Sequence, residues 1–170
     1  VGPEDPLALG ICDELERVGI ASVGPNKSAA QLETSKLFTR QLMEKYDIPG
    51  RVEFHLFQDK DSLAGFLGST SEEFALKPIG LTAGKGVKVM GVHLASKAEA
   101  VNYGSEVIEK RIGGDAGLIL EERLVGEEFT LQCFVDGITV VPMPAVQDYK
   151  QAFEGNRGPN TGGMGSYSQE

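Results

Sequence analysis

The sequence has few of the residues from which metal sites are built. Its 170 residues include two cysteines and two histidines, and Cys12 and Cys133 lie far apart with no CxxC pair. A standard zinc site takes four such ligands, so all four side chains would have to converge on one point. We therefore expect no metal ligands of this kind, and a cytoplasmic location.

Basic residues and long apolar runs are also scarce. Sixteen Lys and Arg stand against 25 Asp and Glu, which gives a formal net charge of −9. Nucleic-acid binding requires a basic surface, so we expect no nucleic-acid partner. No apolar run approaches the roughly 18 residues of a membrane span, and the start has no leader-like pattern, so we expect no membrane contact. The missing initial Met and the polar end predict an excerpt of a longer chain.

Helices and short strands alternate along the chain, which predicts an α/β fold. The apolar spacing and capping residues predict helices over 5–18, 28–46, 61–67 and 96–111. Apolar runs predict strands over 20–23, 52–57, 74–79, 87–90 and 118–122, and Asp136-Gly137 predicts a two-residue hairpin turn. Beyond Val146 the apolar pattern stops, and the polar, glycine-rich end predicts a long loop without regular structure.

A glycine loop lies in the one basic stretch of this acidic chain. Residues 75–98 hold four Lys and no Asp or Glu, and within them lies the run Gly80-Leu-Thr-Ala-Gly84-Lys85-Gly86. Backbone N–H groups of such a loop and a lysine can cradle a polyphosphate, although a β-turn with solvated lysines has the same composition. The spacing fits neither a P-loop, because Gly86 replaces the Ser or Thr, nor a dinucleotide fingerprint.

Two lysines fall where apolar side chains are expected. Lys36 is in helical phase with Leu32 and Met43, and Lys77 lies inside an apolar strand run. An unpaired buried ammonium group is unfavourable, so each lysine either extends to the surface or meets an anion. A single anionic ligand between them would satisfy both.

Four glutamates flank Leu124-Val125-Gly126 at the junction of two predicted strands. They are Glu121, Glu122, Glu127 and Glu128. They are either solvated charges at the edge of a sheet or part of a nucleotide pocket. In a pocket, one carboxylate would accept hydrogen bonds from ribose hydroxyls, and the backbone of the linker would bind the adenine edge.

Taken in order, these motifs resemble those of phosphoribosylamine–glycine ligases, which are ATP-grasp enzymes of purine biosynthesis. The shared segments are 31–36 (QLETSK), 77–87 (KPIGLTAGKGV), 120–128 (LEERLVGEE) and 158–165 (GPNTGGMG). The similarity covers essentially the whole chain. It implies an α/β (α+β) architecture with the end of an N-terminal domain at 1–27, a linking helix at 28–51, a lid subdomain at 52–120 and the start of an antiparallel core at 121–170.

The resemblance also implies roles for single residues. Lys36 and Lys77 would contact the ATP phosphates as catalytic residues, and Gly80, Gly84, Lys85 and Gly86 would belong to the loop that closes over them. Glu121, Glu122 and Leu124 would form the adenine hinge, and Glu128 would hold the ribose. The site for glycine and phosphoribosylamine would be lined by Asp148, Lys150, Asn160, Thr161, Gly162, Gly163 and Met164. Tyr149 stands where many relatives have His, so its role stays open.

The family reaction implied is the ligation of glycine to phosphoribosylamine through a glycyl phosphate, with release of ADP and phosphate. It uses ATP and Mg²⁺ or Mn²⁺, whose ligands are expected downstream of Tyr167, so we expect these 170 residues alone to be inactive. Two alternatives remain at this point. One is another ATP-grasp ligase or carboxylase, and the other is a non-catalytic nucleotide-binding domain. The sequence does not predict the oligomeric state.

Overall fold

The computed structural model describes residues 4–82, 86–114, 117–155 and 157–168. The chain divides into two compact units, Val1–Arg123 and Leu124–Glu170. The helices of the first unit are α1 (Glu4–Leu9), α2 (Ile11–Arg17), α3 (Gln31–Thr34), α4 (Lys36–Lys45), α5 (Lys60–Ser69) and α6 (Lys97–Lys110). Its strands are β1 (Phe54–Phe57), β2 (Phe74–Pro78), β3 (Lys88–Val89) and β4 (Leu118–Glu122). The second unit contains β5 (Cys133–Val135), β6 (Val140–Pro142), β7 (Val146–Phe153) and β8 (Arg157–Ser168).

Each of the first two predicted helices is in fact two helices. Gly10 adopts a left-handed conformation (φ 91°) and separates α1 from α2. Ser35 is extended and separates α3 from α4, and its Oγ accepts a hydrogen bond from Phe38 N at 3.3 Å. This N-cap makes Lys36 the first residue of α4.

The predicted buried strand over 20–23 is wrong. Ile20 is 54% exposed and Val23 is 75% exposed, and no strand is assigned to this run. The sheet that the structure describes in this unit consists of β1, β4, β2 and β3, and the run at 20–23 is not one of its strands.

The core of the first unit lies between one face of a four-stranded sheet and two helices. The strand order is β1-β4-β2-β3, and every pair is antiparallel. Helices α5 and α6 contact each other and this sheet. Phe74 and Leu76 of β2 and Leu118 and Leu120 of β4 belong to the core. Since side chains alternate along a strand, the residues between them face the other way.

Helix α6 begins with the predicted capping residues and packs closely on the core. Ser96 Oγ accepts from Glu99 N at 3.2 Å, and the Glu99 carboxylate accepts from Ala95 N at 2.9 Å. Farther along the helix, a Cβ added at Gly104 would lie 2.4 Å from Leu63 Cδ2. Only glycine fits this contact without rearrangement.

The second unit consists of two antiparallel hairpins. Val135 pairs with Val140, so the β5–β6 loop has four residues and the predicted two-residue turn is wrong. The Asp136 side chain accepts from Ile138 N and Thr139 N and holds this longer loop.

The predicted irregular loop beyond Val146 is also wrong, because β7 (Val146–Phe153) and β8 (Arg157–Ser168) pair as an antiparallel hairpin. Backbone hydrogen bonds hold this hairpin, and the rings of Tyr149 and Tyr167 stack with centroids 6.0 Å apart. Its glycine-rich strand lacks the apolar alternation from which strands are predicted.

Within the described ranges, none of the helices combines the length and apolar character that crossing a membrane requires.

Candidate functional site

Two of the predicted site residues lie on the sheet face that points away from the core helices. In the ladder between β2 and β4, Ala75 is paired with Glu121 and Lys77 is paired with Ile119. Lys77 and Glu121 are therefore diagonal neighbours on one face, a spacing that long side chains can bridge.

Glu121 is buried, with 3% of its surface exposed, and two cations bind its carboxylate. Arg40 of α4 donates from Nε to Oε1 at 2.7 Å and from Nη2 to Oε2 at 3.1 Å. Lys77 Nζ donates to Oε2 at 2.5 Å. Burial would raise the pKa of Glu121, but the hydrogen bonds and charges of Arg40 and Lys77 outweigh it and hold the pKa below its usual value. The carboxylate is therefore ionised at neutral pH.

Lys36 lies in the same charged cluster and contacts the start of the glycine loop. Its Nζ donates to the carbonyl oxygen of Gly80 at 3.1 Å. Burial lowers the pKa of Lys36, the charge of Lys77 lowers it further, and Glu121 and Glu33 partly offset both effects. The two ammonium groups are thus close enough to repel each other, and an anion between them would relieve that repulsion.

The described ends of the glycine loop are fixed by close contacts. A Cβ added at Gly80 would lie 1.9 Å from the carbonyl oxygen of Gly113. At the other end, Tyr103 Oη donates to Gly86 O at 2.6 Å, and Lys88 Nζ lies 5.5 Å from the Tyr103 ring centroid. The predicted loop residues Gly84 and Lys85 lie outside the described residues.

Glu122 borders an open cavity of about 620 Å³ beside this cluster. The carboxylate of Glu122 accepts from Glu53 N at 3.2 Å. The cavity is lined by Arg40, Glu44, Gly50, Arg51, Val52, Glu53, Phe54, His55 and Glu122. Its walls are polar and carry both signs of charge.

Side chains that commonly ligate metals are not clustered in the part of the chain that the structure describes. None of the described His, Cys, Asp and Glu side chains gather in a group of three or more that could hold a metal ion. The buried carboxylate of Glu121 already accepts hydrogen bonds from two cations, which would repel a third.

The remaining predicted site residues belong to the second unit. Leu124 and Glu128 are exposed. Lys150 Nζ lies 3.7 Å from Asp148 Oδ1. Thr161 Oγ1 donates to Lys150 O at 2.8 Å, and Gly163 N donates to Thr161 Oγ1 at 3.0 Å. The hairpin therefore brings Asp148, Lys150, Thr161 and Gly163 together.

Met164 borders a separate cavity of about 510 Å³ in the second unit. The cavity is lined by Tyr149, Gln151, Ala152, Phe153, Glu154, Gly155 and Met164. Gln151 Oε1 is buried and has no hydrogen-bond partner among the described residues. The predicted substrate residues Asp148 and Lys150 do not line this cavity. Gly162 has no atom within 4 Å of an added Cβ, and the backbone of Asn160 pairs with Gln151.

Sequence reasoning missed two residues of the first site, Arg40 and Tyr103. Arg40 follows Lys36 by four positions, so both lie on one face of α4. That spacing was a usable signal, because it placed a second cation beside the lysine already singled out. The hydroxyl of Tyr103 reaches the loop only through the packing of α6, for which the sequence gives no signal.

Two family models together match the whole chain. The model of the phosphoribosylglycinamide synthetase ATP-grasp (A) domain matches residues 34–170, and the model of the N domain matches residues 1–33. The chain belongs to the phosphoribosylglycinamide synthetase family. This confirms the predicted resemblance.

The chain is also similar to curated phosphoribosylamine–glycine ligases. It is 54% identical to the ligase of Methanosphaera stadtmanae over 170 residues, which are 100% of this chain and 39% of that protein. It is 54% identical to the ligase of Methanothermobacter thermautotrophicus over 99% of this chain and 38% of that protein. The chain thus spans about two fifths of the length of these relatives.

Solved structures support the same fold. A phosphoribosylamine–glycine ligase from Thermotoga maritima superposes with a TM-score of 0.80 at 34% identity, over 96% of this chain and 39% of that one. A D-alanyl-alanine synthetase A from Vibrio cholerae gives a TM-score of 0.61 at 14% identity, over 81% of this chain and 40% of that one. The second likeness concerns the fold alone. The chain has the predicted ATP-grasp fold of mixed helices and antiparallel sheet.

Proposed function

We propose that this chain supplies the ATP-phosphate site of a phosphoribosylamine–glycine ligase of purine biosynthesis. The observation that carries the proposal is the cluster of Lys36 and Lys77 beside the buried Glu121. Family membership and 54% identity to named ligases support the choice of reaction.

In the proposed reaction, a carboxylate oxygen of glycine attacks the γ-phosphorus of ATP, and the bond to ADP breaks. The nitrogen of phosphoribosylamine then attacks the carbonyl carbon of the glycyl phosphate, phosphate leaves with the bonding electrons, and the nitrogen loses a proton to give the neutral amide. Phosphoryl transfer needs alignment and charge neutralisation more than a nucleophilic side chain. Lys36 and Lys77 provide two positive charges for this purpose, and backbone N–H groups of the glycine loop add donors.

The other predicted roles are part of the same proposal. The backbone of residues 121–124 would bind the adenine edge, and Glu128 would accept hydrogen bonds from the ribose. Glycine and phosphoribosylamine would bind near Asp148 and Lys150, together with Asn160, Thr161, Gly162, Gly163 and Met164. The divalent cation, Mg²⁺ or Mn²⁺, would be held by parts of the ligase outside these 170 residues. We keep a cytoplasmic location as a prediction.

The substrate is tested on the full-length protein that contains this chain, by following ADP release. We expect release to depend on both glycine and phosphoribosylamine. Release that needs glycine but not phosphoribosylamine, or that needs neither, would favour another ATP-grasp ligase instead.

The role of the lysines is tested by Lys36→Met and Lys77→Met, with Lys45→Met as the matched control. Lys45 lies on the same helix as Lys36 and is exposed. We expect both site variants to weaken ATP binding and the control to leave it unchanged. Equal ATP affinity in all three variants would contradict the phosphate site.

A further inference from the structure

The charged cluster contains one member to which the proposed reaction gives no task, namely Arg40. It binds Glu121, and among the described residues it forms no ion pair with another carboxylate. We propose that Arg40 is a positioning residue that keeps Glu121 paired while Lys77 turns from that carboxylate to a nucleotide phosphate. This inference rests on the proposed function for one point, that Lys77 binds phosphate.

The geometry of the cluster gives its two cations different tasks. Arg40 binds both carboxylate oxygens through two N–H groups, whereas Lys77 contacts only Oε2. A guanidinium held at both oxygens is fixed in orientation, and a lysine at one oxygen is a mobile point charge. Lys77 can therefore leave Glu121 while both oxygens keep a donor.

Burial makes this second donor necessary. Glu121 is 3% exposed, so little water can replace a lost partner. An ionised carboxylate left alone in such a place is strongly unfavourable. Without Arg40, the movement of Lys77 to a phosphate would leave that charge unpaired, and Glu121 would hold Lys77 back.

The net charge of the cluster leads to the same conclusion. Arg40, Lys36 and Lys77 contribute three positive charges and Glu121 contributes one negative charge, which leaves a surplus of two among these four side chains, although the exposed Glu33 also acts on Lys36. Arg40 neutralises Glu121, so the surplus falls on the two lysines that face the phosphate. The side chain of Arg40 is also close to Met43, with Nη1 3.5 Å from Sδ, which helps to fix its orientation on α4.

The test is a double-mutant cycle in the full-length protein with Arg40→Gln, Glu121→Gln and the double variant. We expect Arg40→Gln to raise the KM for ATP by about tenfold or more, the effect of losing hydrogen bonds to a charged group, and to leave the KM for glycine unchanged. Adding Glu121→Gln should restore most of the ATP affinity, because a neutral amide releases Lys77 without leaving a buried charge.

Three further measurements keep the result interpretable. Arg40→Lys, which retains the charge but not the two-point contact, should lie between wild type and Arg40→Gln; it carries the test if Arg40→Gln fails to fold. Arg17→Gln removes an exposed arginine that pairs with Glu14, and should change nothing. Thermal unfolding of each variant separates a loss of folded protein from a change in KM.

The outcomes separate this inference from the proposed function. Additive effects in the cycle, or an equal rise in the KM values for ATP and glycine, would overturn the positioning role even if the protein is the expected ligase. The equilibrium affinity for ATP alone is measured in parallel. If the ATP affinities of the variants show the expected coupling between Arg40 and Glu121 but turnover does not depend on phosphoribosylamine, the positioning role stands and the proposed reaction fails.

Discussion

The two units of this chain achieve order in different ways. In the first unit, a sheet packs on α5 and α6 over a buried core, and the charged cluster lies on the opposite face of that sheet. In the second unit, two hairpins are held by backbone ladders, and the apolar side chains of β5 and β6 are exposed. The pKa values of Lys36 and Glu121 are shifted by burial and by charged neighbours, and both residues lie in the first unit.

The largest expected effect is a loss of activity on substitution of Lys77 in the first unit. In the full-length protein, Lys77→Met should lower kcat/KM for ATP by about 10²–10³, the usual effect of removing one preorganised charged donor. Lys110→Met, which removes an exposed lysine that pairs with Glu106, should have no effect. Steady-state ADP release checks both. A similar loss in the two variants would mean that the position of Lys77 beside Glu121 carries no special role.

Glycine-to-alanine substitutions should change the unfolding free energy more in the first unit than in the second. Gly104→Ala places a methyl group against Leu63 and Leu118 and should destabilise the protein by about 1–3 kcal/mol. Gly65→Ala in α5 meets no atom within 4 Å, so the gain in helix propensity should stabilise by about 0.5–1 kcal/mol. Gly162→Ala, also in open space, should change little. Urea unfolding of the full-length variants measures all three, and a destabilised Gly65→Ala would contradict the packing described.

Acid should weaken the first unit through Glu121. Because the pKa of Glu121 is lower in the folded protein than its ordinary value of 4.5, the stabilisation from this group is complete above that value. It is lost as the pH falls from there through the lowered folded pKa. We expect the difference in unfolding free energy between wild type and Glu121→Gln to shrink as the pH is lowered from 6 to 3. Glu122→Gln, on the exposed end of the same strand, is the control variant. A free-energy difference between wild type and Glu121→Gln that grows on acidification would contradict the lowered pKa of Glu121.

The smallest expected effect concerns the second unit. Tyr149→Ala removes the stacked pair with Tyr167, which is worth about 0.5–1.5 kcal/mol, and leaves the backbone ladder intact. Proteolysis of the β7–β8 hairpin in the full-length protein should become faster by the factor that corresponds to this loss of stability. Tyr46→Ala, which alters an exposed ring on the first unit, should leave that cleavage rate unchanged.

The contrast between the units also explains how far the sequence could predict the structure. Strands β1, β2 and β4 were predicted because they contain apolar runs or apolar alternation, and residues such as Phe74, Leu76 and Leu120 are buried. Strands β7 and β8 were missed because their ladder needs no apolar face, and the run at 20–23 was overpredicted because an apolar run contains no information about a pairing partner. Lys36 and Lys77 stood out as charges in apolar patterns. Glu121 was predicted as part of an adenine hinge, and only the register of β2 and β4 identifies it as the partner of Lys77.

A common anion site for Lys36 and Lys77 is the central feature proposed for this molecule. NMR of lysines carrying ¹³C-labelled methyl groups, in the full-length protein with ATP absent or present, tests this feature directly, with Lys110 as an exposed internal reference. We predict that the pKa of Lys36 lies below its usual value without ATP, because of burial and the charge of Lys77, and rises when ATP binds. A pKa of Lys36 that does not change on saturation with ATP would contradict the account.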